Sequence, residues 1–371
     1  MRPLSDTLTR LARLKALAAT AASPGDSTLS PMTGFGSNPG ALLASVFIPT
    51  RPAQRMPLVV VLHGCTQTAA DYDRGSGWSA LAEQAGFALL FPGQQRQNNA
   101  NACFNWFEPG DTARDHGEAL SIRQMIAHMC QEHAIDPGRI YITGLSAGGA
   151  MASVMLAAYP EIFAGGAIIA GLPHGCATSV SQAFDRMRGH GLPTQDRLSA
   201  AVTQASIWQG PWPAVSVWQG DADTIVSAAN AQAIAAQWRG VHRISDPATI
   251  EDLSVNHRRQ RWHDADGRAA VEIHTIAGMG HGTPISQRDG PGKAGPYFLE
   301  VGISSTRQIA EAWNLASPSR PQASSATTPL IGAVTQRPKR ATQEDSPRKP
   351  DGVGRIKSVI EEALRTAGLM R

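Results

Sequence analysis

Leu58–Leu62 reads Leu-Val-Val-Val-Leu and stops at His63-Gly64. An apolar run this short and unbroken fits a strand covered on both faces, because a strand with one wet face would alternate with polar residues. The pattern returns at Ala88–Phe91, Arg139–Thr143, Ala164–Ala170, Ala214–Trp218 and Ala270–Ile276, and a further strand is expected at Ala44–Ile48. Helical periodicity fills the intervals: Trp78–Ala85, a long helix from Asp115, the residues after Gly149 through Tyr159, Ala228–Trp238, and Ser304–Asn314. Strands alternating with helices predict an α/β fold, a mostly parallel central sheet with helices on both faces. Ligands of such folds sit at the carboxyl ends of the strands. His63-Gly64-Cys65, Ser146, Asp221 with Asp223, and His281 all fall at those ends.

Apolar residues make up 42% of the 371 positions and charged residues 17%, which supports a sizeable core and excludes a wholly disordered chain. No apolar run approaches the roughly 18 residues of a transmembrane helix. The net charge of +3 is uneven: residues 1–30 carry +2 and residues 317–371 carry +5, leaving −4 on the body between them. A basic balance invites nucleic acid. The body has no basic stripe interleaved with aromatics, so no nucleic-acid partner is expected. Cys65, Cys103, Cys130 and Cys176 form neither a Cys-x-x-Cys pair nor a Cys/His zinc spacing, so no metal site is expected either.

The ends differ from the body. Leu4, Leu8, Leu11 and Leu14 form a helical stripe, and Arg10, Arg13 and Lys15 interrupt what would be the apolar core of an export signal. An amphipathic helix is the better reading, and the compartment stays open, with the cytoplasm ahead of secretion. Residues 317–350 are rich in Ser, Pro, Thr, Ala and Arg, a composition expected to form a disordered linker. Beyond it Val353, Ile356, Ile360 and Leu364 recur at helical spacing. The expected organisation is an amphipathic segment and connector (1–40), a globular body (41–316) with 173–213 as a lid insertion, a linker (317–350) and a second amphipathic helix (351–371).

Gly144-x-Ser146-x-Gly148 follows an apolar strand and opens a helix. That context matches a nucleophile elbow, in which a sharp turn exposes a serine and flanking glycines remove clashing side chains. A serine that merely caps the helix is the simpler alternative. A nucleophilic serine needs a base oriented by a carboxylate. Gln219-Gly220-Asp221-Ala222-Asp223 follows the strand at Ala214–Trp218. Asp223 has the spacing expected of the orienting acid, and Asp221 that of a turn-stabilising residue. Of the eleven histidines, His281 follows the last core strand in a glycine-flanked loop. His63 precedes the serine and is expected to shape the neighbouring loop. The segment at His257–His263 reads as charged surface, and His274 as a packed or edge residue. An oxyanion hole requires the N–H of Ala147 and one from the loop at Cys65.

LHGCTQTAADYD, CFNWFEP, ARDHGEALSI, IYITGLSAGGAM, YPEIFAGGAIIAGLPHGCA, WQGDADTIV and GMGHGTP together resemble the esterases of the polyhydroxybutyrate depolymerase family. The resemblance spans roughly Ala41 to Asn314. It implies an α/β-hydrolase fold, hydrolysis of carboxylic esters without a cofactor, Ser146, Asp223 and His281 as a catalytic triad, and Cys65 as an oxyanion donor. Poly(3-hydroxybutyrate) or its oligomers are the expected substrates, with a feruloyl or acetyl-xylan type of ester as the alternative. From a different class, the chain would be a granule- or surface-associated interaction protein on a hydrolase scaffold. The amphipathic ends are candidates for docking on a polymer granule or membrane surface. Trp78, Phe104, Trp106, Phe107, Trp208 and Trp212 are candidates for an apolar wall, Trp106 foremost because its loop lies at the carboxyl end of the sheet. Cys65 and Cys103 are a candidate disulfide.

Overall fold

The computed structural model describes residues 28–317. The expected amphipathic segments near the termini and the linker beyond Ser317 lie outside them. Among the described residues the strands are β1 (Ser30–Pro31), β2 (Leu43–Phe47), β3 (Met56–Leu62), β4 (Ala88–Gly93), β5 (Ile135–Leu145), β6 (Gly165–Ile169), β7 (Ala214–Gly220), β8 (Thr249–Ser254), β9 (His257–His263), β10 (Ala269–Ile276), β11 (Thr283–Ile285) and β12 (Phe298–Glu300). The helices are α1 (Ala69–Ser76), α2 (Trp78–Ala85), α3 (Pro109–Thr112), α4 (Gly117–Glu132), α5 (Ala147–Ala158), α6 (Val180–Met187), α7 (Gln195–Gln204), α8 (Ala229–His242) and α9 (Ser305–Ala312).

Ten strands form one sheet in the order β1-β2-β4-β3-β5-β6-β7-β10-β9-β8. The run from β4 through β3, β5, β6 and β7 to β10 is parallel, and antiparallel strands close both edges. All seven residues of β3 are buried. Alternation sends Leu58, Val60 and Leu62 into one core layer, with Met125, Met151 and Trp238. Val59 and Val61 enter the other, with Trp78, Phe87 and Trp218. Each such side chain contributes about 1.5–3 kcal/mol through burial, so the centre of the sheet is the rigid base from which the loops at its carboxyl ends project. Helix ends are set locally. Thr68 caps α1 by accepting from the N–H of Asp71, and Gly77 (φ 75°) ends α1 and starts α2 in a left-handed conformation that suits glycine.

One expectation changes. The segment at His257–His263 is strand β9 rather than solvated surface, with His257 turned into one core layer and Trp262 into the other. Its charges are accommodated in pairs: Arg259 bonds Glu251, and Arg261 bonds Glu272. The stretch 173–213, expected as a lid, carries α6 and α7, and α7 buries Leu198 and Val202 in the core. Gln237 of α8 donates to the carbonyls of His174 and Leu198 (both 2.8 Å), and Ser199 donates to the carbonyl of Gln237 (2.9 Å). The insertion is therefore fastened along the flank of α8.

Candidate active site

Ser146 joins β5 to α5 with φ 57° and ψ −118°. A non-glycine residue held there stores on the order of 1–3 kcal/mol of strain, sustained only by the surroundings. Those surroundings are visible. The N–H of Ser146 donates to the carbonyl of Ile169 (2.9 Å), and its own carbonyl accepts from Ala150 (2.8 Å). A Cβ on Gly144 would lie 2.4 Å from the Gly148 carbonyl, and one on Gly148 would lie 2.4 Å from the carbonyls of Leu62 and His63. Glycine is thus required on both sides of the serine, because the first turn of α5 presses directly on the end of β3. Ser146 itself is half-buried and Ala147 buried.

Two strands away, β7 ends in the turn that carries Asp223, and β10 leads to His281. His281 Nδ1 donates to Asp223 Oδ2 at 2.7 Å, with both side chains almost wholly buried. The same carboxylate accepts from the N–H groups of Ile225 (2.8 Å) and Val226 (2.9 Å) and from Gln219 Nε2 (3.1 Å). Burial alone would push this carboxyl up; the hydrogen bond and charge of His281, with the two amides, outweigh it and hold Asp223 below the usual carboxylate range. Because a carboxylate only accepts, His281 carries its proton on Nδ1 and leaves Nε2 as an acceptor.

Asp221 is exposed and performs the turn-stabilising task. Its Oδ1 accepts from Gly278 N–H at 2.6 Å, while the amides of Asp221 and Ala222 donate to Ile276 and Met279 (3.1 Å each). The two turns are in such close contact that a Cβ on Gly220 would sit 2.1 Å from the Met279 carbonyl. Gln219, which sequence reasoning passed over, donates to Asp223, Gly220 and Val226 at once. Nothing in a lone strand-end glutamine signals that role.

On the other side of Ser146 lies the loop after β3. His63 accepts from Gln94 N–H at Nε2 (3.0 Å), which places its ring proton on Nδ1, toward the Gly64 carbonyl (2.7 Å). Burial lowers its pKa. It is a neutral structural residue that shapes the loop, as expected. Gly64 N–H donates to Gln67 Oε1 (2.9 Å), Thr66 N–H to Asn101 (2.7 Å), and Gln67 N–H to Gly64 (3.3 Å). Cys65 is joined to Cys103 by a disulfide.

The disulfide fastens the polar loop 94–106, which is organised from beneath by Glu118. This buried carboxylate, also missed in the sequence, accepts from Gln94 Nε2 (2.5 Å), Asn105 N–H (2.9 Å) and Asn105 Nδ2 (2.8 Å). Burial pushes its carboxyl up to about 8 against the pull of those donors. Of the aromatic candidates, Trp78 and Phe104 are core residues. Trp208 and Trp212 precede β7, at the opposite end of the strands from Ser146. Trp106 packs edge-on against Phe107 (5.3 Å) in the main core and is only 8% exposed, so it does not form an open wall.

A parallel sheet with a strained serine at one strand end, and an aspartate–histidine pair two and three strands along, defines an α/β-hydrolase. The Esterase PHB depolymerase family model matches residues 42–252, and the chain belongs to that family. It is a carboxylic ester hydrolase. It is 44% identical over 291 residues to poly(3-hydroxyalkanoate) depolymerase C of Paucimonas lemoignei, covering 76% of this chain and 69% of that protein. Acetylxylan esterase of Coprinopsis cinerea is 31% identical over 265 residues, covering 70% of each. The acetyl xylan esterase structure from Aspergillus awamori superposes with a TM-score of 0.67 at 23% identity, covering 78% of this chain and 99% of that one, and bears out the fold.

Proposed function

We propose that this chain hydrolyses 3-hydroxyalkanoate polyesters or their oligomers through an acyl-enzyme on Ser146. The observation that carries the mechanism is the 2.7 Å contact of His281 Nδ1 with a buried Asp223 carboxylate, at strand ends two and three places along the sheet from a strained serine. Ser146 Oγ attacks the ester carbonyl while His281 Nε2 takes its proton, then returns it to the departing alcohol. Water, deprotonated by the same nitrogen, releases the acid and restores the serine. The oxyanion is assigned to the N–H groups of Ala147 and Cys65, since the amides of Gly64, Thr66 and Gln67 are already donated within the protein. Trp106 is proposed to meet the acyl chain only through its accessible edge.

The substrate class rests on the 44% identity to a poly(3-hydroxyalkanoate) depolymerase. The 31% identity to an acetylxylan esterase supports a second reading, acetyl or feruloyl esters of polysaccharide. The net charge of −4 on the body suits a neutral ester, which needs no electrostatic capture. Ser146→Ala is expected to abolish hydrolysis of p-nitrophenyl butyrate in folded protein; retained turnover overturns the nucleophile assignment. Turnover of 3-hydroxybutyrate oligomers well above that of methyl ferulate and acetylated xylan supports the polyester reading, and the reverse order replaces it.

A further inference from the structure

Glu118 is no member of the triad, yet the three hydrogen bonds to its carboxylate all come from one loop, the polar segment 94–106. At the start of that loop Gln94 Nε2 donates to Oε1 (2.5 Å). At its end Asn105 donates through its N–H to Oε2 (2.9 Å) and through Nδ2 to Oε1 (2.8 Å). Glu118 is wholly buried. A carboxylate taken out of water is costly unless its oxygens are engaged, and here the engagement draws the two ends of the loop together.

Two branches lead from this clamp to the residues around Cys65. The first is short: Gln94 N–H donates to His63 Nε2 (3.0 Å), and His63 Nδ1 donates to the Gly64 carbonyl (2.7 Å). The second runs through asparagines. Asn99 Nδ2 donates to Asn105 Oδ1 (3.0 Å), while Asn99 Oδ1 accepts from the N–H groups of Asn101 (3.0 Å) and Cys103 (3.3 Å). The Asn101 carbonyl accepts from Thr66 N–H (2.7 Å), and Cys103 carries the disulfide to Cys65. The clamped loop is thus fastened to both neighbours of Cys65 and to Cys65 itself. Thr66 and Ala102, one on each side of this junction, have φ 65° and 49°, in the left-handed region that residues other than glycine seldom enter. Such strain persists where the surroundings over-determine the backbone.

Resting on the assignment of the Cys65 amide to the oxyanion above, we propose that Glu118 is a positioning residue for that amide: it clamps the 94–106 loop, and the loop holds the Cys65 backbone in place. The amide meets a charge that is absent from the bound ester and develops on the way to the tetrahedral intermediate. Its displacement by a fraction of an ångström is therefore felt in the transition state more than in substrate binding, and the loss falls on kcat.

The test uses the full chain with p-nitrophenyl butyrate as substrate and butylboronic acid as a probe, since a tetrahedral boronate on serine presents an oxygen to the oxyanion amides. Glu118→Gln keeps the volume but sets an NH2 group against donors of Gln94 or Asn105. Asn99→Ala cuts the asparagine branch at a half-buried loop position. Glu118→Gln is expected to lower kcat roughly ten- to fiftyfold and Asn99→Ala roughly three- to tenfold, with KM within about twofold; both are smaller than the roughly 10²–10³ lost when an oxyanion donor is removed. The inhibition constant of butylboronic acid should rise by the factor by which kcat falls. The double variant should match Glu118→Gln alone, because the clamp governs the branch. A lower melting temperature with unchanged kcat, a loss confined to KM, boronate affinity that holds while kcat falls, or losses that multiply in the double variant each overturn the proposal. If Glu118→Gln does not fold, Asn99→Ala decides by the same kcat and boronate readings. While Ser146→Ala abolishes turnover, those results count against Glu118 alone; turnover that survives Ser146→Ala overturns the underlying assignment instead.

Discussion

On the β7 and β10 side of the site, four donors converge on one carboxylate: Ile225 N–H, Val226 N–H, Gln219 Nε2 and His281 Nδ1. On the β3 and β5 side the corresponding restraints are steric and covalent. Glycines at 144 and 148 let backbone meet backbone, and a disulfide ties Cys65 to the 94–106 loop. Both halves bring backbone against backbone, at Gly220 as at Gly144 and Gly148; what sets the first apart is the convergence of donors on one carboxylate, and what sets the second apart is its covalent tether. In the proposed mechanism both halves meet charge that appears only during the reaction, imidazolium at His281 and oxyanion at the Cys65 and Ala147 amides, and both must be in place beforehand.

The sharpest way to break this comparison is Asp223→Asn. It keeps volume but offers an amide where His281 needs an acceptor, and kcat should fall by roughly 10³–10⁴ with little change in melting temperature. Asp221→Asn retains an oxygen for Gly278 N–H and should stay within about fivefold. A larger loss at 221 than at 223 would exchange their roles. Gly148→Ala addresses the other half: with carbonyls 2.4 Å from its Cβ, it should cost more than about 3 kcal/mol of stability, read as insoluble or early-melting protein. A soluble variant with normal melting would refute the steric account.

Cys103→Ser should destabilise by about 2–4 kcal/mol. It should also lower ester hydrolysis, because the Cys65 amide loses its tether. Reductant should reproduce the shift in the wild type, and a wild type indifferent to reductant would show the bond does not form. The smallest effect lies away from the site, where His257 Nε2 contacts His274 Nδ1 (2.9 Å) and His274 Nε2 contacts Glu272 (3.1 Å). Burial, with the charges of His274 and Arg259, brings His257 down to about 4 from an ordinary 6.5. The unfolded chain then binds the proton first, so stability should decline as pH falls from 6.5 toward 4. Burial would raise the Glu272 carboxyl, but His274 and Arg261 hold it at about 2 against an ordinary 4.5, which adds a further loss as pH falls from 4.5 toward 2. His257→Gln should flatten the first part of the thermal-melting profile and leave the second. An unchanged profile would separate His257 from acid stability.

Much of the framework was legible in the chain. The central strands were found to within a few residues because a strand buried on both faces admits only apolar side chains, and the elbow was found because its turn excludes a Cβ at Gly144 and Gly148. The exceptions have physical reasons. Strand β9 reads as charged surface because its arginines are matched by Glu251 on β8 and Glu272 on β10, partners that only the antiparallel pairing of these strands brings alongside. Trp106 was expected to line an apolar wall from its loop position, but loop position says nothing about depth, and its side chain is buried in the core.

The sequence by itself determined the order of strands and helices, the strand ends that carry chemistry, and the serine at the turn, because each of these is a property of neighbouring residues. Spacing favoured Asp223 over Asp221, and tertiary structure supplied the contact itself, joining Asp223 to His281 58 residues away. Tertiary structure alone brought Gln219 to the Asp223 carboxylate and Glu118 beneath the 94–106 loop. Those choices depend on which loops the sheet order β3-β5-β6-β7-β10 brings together, and pairing across such distances leaves no periodic trace in the chain.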